Sequence, residues 1–503
     1  MKGIINFGLL GIRRVFGGVM PPKPSIDKWV KEHMVFWYDM SKPVDTYSQN
    51  FNDWRPHPSV NADIIITSTS FVITRFATLN DTVKCYIPDQ TKNFPGMKVE
   101  VKGIVDGQEL YWGYSADVKL VNITSDGTYD IPPLGTVKGN LSFRNGNIAG
   151  ACNITITQLP SGQSVPTNEI LKANPYLQDH SGNNRPLKLN NFLFAAMSGV
   201  GGYEYNWLDS ALFITYLSGA RGNGTITDNT ITINNVKVSS GVIETRVNSP
   251  SKKYKVRVTG ITSNETLRYV VYGDTSLGEL ATIIFDMKKD GEYELPASTY
   301  SATYNMKWQV IAASYPHTCN ITIEQIPLYP NALVTDGVDD YGQIQNLQHG
   351  VKVLFTTINP FVDGKFIYDQ RLNTTEPWLF AVFNDKGSIA YNSRNSNGKT
   401  YIDGTLNEST IVSALLNKKQ IITITNNDVT GDKTKTPIFF SNTDHNSGWI
   451  SSAFYNSIGF DSVPTKQDDG FTEQDLITWV IDNMINGTPQ SGVFPYVFPL
   501  KVN

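Results

Sequence analysis

The stretch Asn331–Gln343 reads NALVTDGVDDYGQ. An apolar run, Ala332 to Val334, leads into a glycine-punctuated cluster of three carboxylates, Asp336, Asp339 and Asp340, closed by Tyr341. A short apolar run bounded by turn residues reads as a buried strand, and Asp-Gly supplies the turn that ends it. Two chemistries fit the carboxylates. Calcium takes several carboxylate and carbonyl oxygens, so this is where such an ion would be held. A polar turn would instead spend the same side chains on capping nearby backbone amides. No other cofactor is implied by the sequence.

Composition places that stretch in a β-rich chain. Of 503 residues 40% are apolar and only 17% charged, while the abundance of Asn, Thr, Ser, Gly and Tyr favours strands and turns over helices. The length suits several domains. A net charge of -4 and a pI near 5.9 lack the clustered basic excess of a nucleic-acid face, so no nucleic-acid partner is expected. Cys85, Cys152 and Cys319 are odd in number and build no disulfide framework, which leaves buried free thiols as the expectation. Residues 1–24, MKGIINFGLLGIRRVFGGVMPPKP, begin like a leader, but Arg13 and Arg14 interrupt the apolar run and no small-residue cleavage site follows. They are read as a basic, glycine-rich arm that attaches the chain to a partner. No apolar run is long enough for a membrane span.

Working outward, two copies of one unit precede the opening stretch. MKVEVKGI at 97–104 matches YKVRVTGI at 254–261, SDGTYDIP at 125–132 matches KDGEYELP at 289–296, and CNITITQLP at 152–160 matches CNITIEQIP at 319–327. Three matches in the same order identify an internal repeat. Alternation at Val99 and Val101, and at Val256 and Val258, puts apolar residues on one strand face, and the Asp-Gly pairs supply turns. Each copy is expected to be a small antiparallel sandwich of the immunoglobulin-like sort.

The text around the copies belongs together. It comprises a helix over about Ser25 to Phe36 (Ile26, Trp29, Val30, His33, Met34 and Trp37 fall at helical spacing on one face), then WYDMSK at 37–42, NPYLQDHSGNN at 174–184, NNFLFAAMSGVGGY at 190–203 and the opening stretch. Strands are expected at Phe355–Ile358, Lys365–Tyr368, Trp378–Phe383, Ser388–Tyr391, Lys399–Ile402 and Gln420–Thr425. SSAFYNSIGF at 451–460 is followed by Thr472–Asp475, a capping-box-like start to an amphipathic helix. In this combination the pieces resemble the jelly-roll lectin superfamily, laminin-G-like and concanavalin-like. Most of residues 25–490 are similar to proteins encoded by phages and prophages of gut Bacteroidetes, including crAss-like phages. The resemblance implies a virion or tail-associated structural protein. A second insert departs from the single one associated with that group and points to duplication.

The expected fold is therefore mainly β: a lectin-like jelly roll interrupted by two related immunoglobulin-like sandwiches, with short terminal helices. The expected map is an arm (1–24), the jelly-roll start (25–59), a first insert (60–165), a jelly-roll segment (166–205), a second insert (206–328) and the main jelly roll (329–503). Sugar contact needs exposed rings beside Asn or Asp, and the candidates are Trp378, Tyr391, Asn392 and Tyr401, with Tyr111 and Trp112 in the first insert. Enzymatic signatures are weak. The Glu-x-Asp of Glu473 and Asp475 lies at a helix start, where i and i+2 diverge, instead of on a strand as a glycosidase pair would. Ser393 replaces the first glycine of a phosphate loop before Lys399, the six histidines are scattered, and there is no Gly-x-Ser-x-Gly elbow. A non-enzymatic virion component is expected, meeting other virion proteins through its arm, forming homo-oligomers and contacting glycans. The alternative is a secreted or surface adhesin of the bacterium.

Overall fold

The computed structural model describes residues 25–486 apart from 49–50, 52–53, 57–62, 68, 77–81, 86–92, 116–117, 137–140, 149, 206, 208–212, 216–221, 228, 239–241, 246–252, 273–281, 297–305, 348–349, 362–365, 370–379, 384–388, 391–397, 408–415, 427–436 and 442–448. The proposed arm, residues 1–24, lies outside them.

The chain is mainly β, and its largest unit is a two-sheet sandwich assembled from three separated segments. One sheet runs in the order Gly199–Val200, Leu333–Asp336, Ser451–Phe460, Val353–Pro360, Gln420–Thr425, Lys399–Ile402, Thr405–Asn407, with Met34–Asp39 also paired to Ser451–Phe460. The other runs Tyr176–Leu177, Leu187–Asn190, Tyr341–Ile344, Ile438–Phe439, Phe366–Asp369, Phe380–Phe383, Ile389–Ala390. Every strand pairing among the described residues is antiparallel, as in a jelly roll. The core between the sheets draws on all three segments: Phe36 and Tyr38 from the first, Leu187 and Leu189 from the second, Leu354, Phe439 and Phe454 from the third. Burying such side chains contributes about 1.5–3 kcal/mol each, so none of the three segments closes the core alone.

Helices cover the outer face of the first sheet. The helix α1, Ile26–His33, is capped by Ser25 and buries Trp29 and Val30. It stops at His33, short of the expected Phe36, because Met34 and Phe36 are already paired along Ser451–Phe460, with Val35 in a bulge between them. Strand pairing and core burial override the helical spacing there. The short α2, Asn168–Ala173, precedes the second segment. The helix α3, Glu473–Val480, opens with the full capping box between Thr472 and Asp475, and its Leu476, Ile477 and Val480 pack with Trp29, Phe355, Ile458 and Phe460. No helix among the described residues is long and apolar enough to cross a membrane.

Two smaller sandwiches interrupt this host, each of two five-stranded sheets. In the first, the orders are Val118–Ile123, Leu110–Ser115, Ser142–Asn145, Thr82–Cys85, Trp54–Pro56 and Gly127–Ile131, Met97–Lys102, Gly150–Gln158, Ser70–Phe76, Asp63–Ile66. In the second they are Thr282–Met287, Glu265–Tyr272, Met306–Ala312, Val242–Thr245, Phe213–Thr215 and Gly291–Leu295, Tyr254–Thr259, His317–Gln325, Thr230–Val236, Gly222–Ile226. Strand for strand, the order is the same. Each has its own core, around Trp112 and Phe143 in one and Tyr269 and Trp308 in the other. Cys152 and Cys319 are free thiols at matching positions, partly and fully buried.

Candidate functional site

The opening stretch crosses the host. Leu333–Asp336 lies in one sheet and Tyr341–Ile344 in the other, so the carboxylate cluster is the turn that carries the chain over the sandwich edge. Gly337, at φ 79°, makes the sharp step, and a Cβ there would press on Ser451. One oxygen from each of Asp336, Asp339 and Asp340 lies within 4.8 Å of the others.

The three carboxylates differ in environment. Asp340 is fully buried, and its two oxygens accept from Ser198 Oγ at 3.0 Å and from the Asp336 N–H at 3.0 Å. Burial pushes its carboxyl up to about 7, against the pull of those two donors. Asp336 accepts from the Val338 N–H at 2.7 Å, and Asp339 is the most open of the three. Asn191 Nδ2 donates to the Asp339 carbonyl at 3.1 Å, and Ser198 Oγ also accepts from the Leu193 N–H at 2.9 Å. The cluster thus joins the loop at 191–198 to the crossing turn. Asp336 and Asp340 are spent on backbone and hydroxyl donors, as the polar-turn reading requires. The cluster offers three oxygens to a cation, about half of what calcium takes.

A second polar knot holds the first and second host segments together. Asp179 is buried and accepts from the Trp37 N–H at 3.0 Å, the Ser181 N–H at 2.9 Å and the Arg185 N–H at 3.1 Å. Asn183 Nδ2 donates to the Met34 carbonyl at 2.8 Å, Arg185 Nη1 to the Val35 carbonyl at 3.0 Å, and Tyr38 returns a bond to the Arg185 carbonyl at 2.7 Å. Burial raises the Asp179 carboxyl, with the hydrogen bonds opposing it. The Asp-His-Ser-Gly-Asn turn therefore supplies the outer edge of strand Met34–Asp39 with partners that a neighbouring strand would otherwise provide.

The sugar-contact candidates do not converge. Trp378, Tyr391 and Asn392 lie outside the described residues. Tyr111, Trp112 and Tyr401 are 6, 0 and 3% exposed, which removes the open ring face the expectation needs. Trp112 stacks within the first insert against Phe94 and Phe143, while Lys119 lies 4.7 Å over the Tyr111 ring. Tyr401 sits under α3, where Glu473 accepts from Lys399 Nζ at 2.7 Å and Thr425 Oγ1 at 2.6 Å. Alternation alone could not separate an inward ring from an outward one in strands that are buried on both faces. The sequence reading passed over Ser198 and the knot-forming role of Asp179, because both act across 142 residues of chain.

No family model matches the chain, and no curated protein does. Among solved structures, the N-terminal tandem of CBM22-1 and CBM22-2 from Paenibacillus barcinonensis Xyn10C is 8% identical, covers 58% of this chain and 96% of its own, and has a TM-score of 0.18. Procruciferin, the 11S globulin of Brassica napus, is 10% identical over 58% of this chain and 86% of its own, at a TM-score of 0.08. Similarity at that level carries no argument about function.

Proposed function

We propose that the chain is a non-enzymatic structural component of a phage virion, a fibre, decoration or tail-associated protein. Its lectin-like jelly roll carries two immunoglobulin-like modules, and the lectin-like modules contact glycans of the host surface or gut. The observation that supports this reading is the interleaving: one module, present twice, is inserted at both ends into a host sandwich that closes only when all three of its segments meet. Such a build suits display of repeated modules from a stable base. It is in keeping with the resemblance, read from the sequence over most of residues 25–490, to proteins of Bacteroidetes phages and prophages. Two of the buried carboxylates of the host, Asp179 and Asp340, are engaged by backbone and hydroxyl donors, as structural carboxylates are.

The test is mass spectrometry of purified particles. The chain should be present in many copies per virion, and removal of residues 1–24 should abolish its incorporation. Absence from particles, with the chain found on the bacterial surface, would overturn the virion reading in favour of an adhesin.

A further inference from the structure

Each insert leaves the host through a neck whose two strands are bonded to each other. In the first, Val44–Thr46 pairs with Gly162–Ser164, Gln163 Nε2 donates to Asp45 Oδ1 at 3.0 Å, and the Asp45 N–H donates to Gln178 Oε1 of the host at 3.1 Å. In the second, the pairing of Gly199–Val200 with Leu333 and Val334 continues outward. The Gly201 N–H donates to the Ala332 carbonyl at 2.8 Å, the Tyr329 N–H to the Gly201 carbonyl at 2.8 Å and the Leu328 N–H to the Gly202 carbonyl at 2.9 Å. It ends inside the insert, where Gln325 and Tyr205 exchange bonds at 3.2 and 2.9 Å.

The two necks meet at one buried side chain. Asn168 is the first residue of α2, just past the first neck, and is 7% exposed. Its Oδ1 accepts from the Val200 N–H at 2.7 Å, and Val200 is the last strand residue before the second neck. A Cβ on Gly199 would collide with the same oxygen. Leu171 of α2 is anchored in the host core, so Asn168 has little freedom to follow a moving neck.

We infer that Asn168 pins the exits of the two inserts to one shared junction, so that they project as a rigid pair and do not swing independently. The positional role is geometric: the amide oxygen fixes the start of the second neck against the end of the first. Resting on the display reading above, this presents two copies of one module at a set spacing. For a surface that repeats its epitope, the second contact then becomes intramolecular and gains avidity without any new bond.

The test is the distance distribution between nitroxide labels on the full chain, placed at Val105→Cys in the first insert and Val238→Cys in the second, which are 63 and 39% exposed. Cys85, Cys152 and Cys319 are replaced by alanine. With Asn168 the distribution should be single and narrow. Asn168→Ala should broaden it while the melting of each module stays in place. Asn168→Asp should restore it, because it keeps the acceptor oxygen and its charge is favourable in the first turn of a helix. A broad distribution with Asn168 present, or a narrow one unchanged by Asn168→Ala, would overturn the inference. Either result leaves the virion measurement untouched, so the two readings fail separately.

Discussion

The first and second inserts share a frame and differ at one end. Gly103 and Gly260 hold φ of 92° and 90°, each where a Cβ would strike the backbone of the facing strand, at Asn153 or Asn320. Asp126 and Asp290 accept from the N–H groups of Ile104 and Ile261 at 2.7 and 2.8 Å. Tyr129 and Tyr293 close the same turn onto the carbonyls of Ser125 and Lys289. The difference lies where Glu265 replaces Gln108 and His317 replaces Gly150 in the matched copies. Gln108 Oε1 accepts from the Val105 N–H at 3.1 Å. Glu265, with its side chain 2% exposed, accepts from the Thr262 N–H at 2.8 Å, Thr262 Oγ1 at 2.9 Å and His317 Nε2 at 2.8 Å. Because Glu265 and His317 begin strands of opposing sheets, the pair closes one end of the second sandwich. The frame is what both copies need in order to fold. The end is where the second copy buries a carboxylate against a histidine, whereas in the first the neighbouring Glu109 meets Lys119 at 2.8 Å near the surface.

The largest effect should come from the shared cores. Trp112→Ala and Tyr269→Ala are each expected to cost about 3–5 kcal/mol and to unfold only the insert that carries them. Denaturant melts followed by segment-resolved hydrogen exchange would show this, and coupled unfolding of both inserts would break the comparison. Next, Glu265→Ala strands the half-buried His317 and the Thr262 donors, and should cost the second insert about 2 kcal/mol, whereas Gln108→Ala should cost the first about 1 kcal/mol. Equal losses would mean that the charged end contributes nothing special.

A pH series sharpens the same contrast. Burial pushes the Glu265 carboxyl up, but the Thr262 donors and His317 outweigh it and hold it below its ordinary 4.5. Its stabilisation is therefore present above that value and is lost as the pH falls through the lower folded one. Between neutrality and strong acid the second insert should lose more stability than the first, and Glu265→Gln should remove the excess. Smallest of all, Arg257→Ala on the exposed outer sheet, where Arg257 meets Glu292 at 2.9 Å and Glu324 at 3.4 Å, should change the melting of the second insert by less than about 1 kcal/mol.

The repeat was legible because its matched residues are local: Asp-Gly turns, alternating valines and a Cys-Asn-Ile-Thr-Ile strand carry their meaning within a few positions. The interrupted host was legible for the same reason, since each fragment keeps its own strand or turn text. Strand Ser451–Phe460 and the Asp403–Gly404 turn, with φ of 48° and 80°, appear where the sequence put them. What the sequence did not reveal depends on distant partners. Nothing near Asp340 tells that Ser198 will bury against it, and nothing near Tyr401 tells that α3 will cover it. Trp112 and Tyr111 are adjacent on one strand, yet both are buried, so alternation could not select a sugar-facing ring. The Glu265 and Gln108 difference was visible in the aligned copies, but its meaning needed the position of His317 in the opposing sheet.

The account stands on the claim that three chain segments, divided by two modules, form one host. Native-state hydrogen exchange at rising denaturant tests it most directly. The amides of Met34–Asp39, Leu187–Asn190 and Val353–Pro360 should lose protection together, in one transition distinct from those of Met97–Lys102 and Tyr254–Thr259. If Met34–Asp39 or Leu187–Asn190 instead opens with the insert beside it while Val353–Pro360 stays protected, the single interrupted host is wrong.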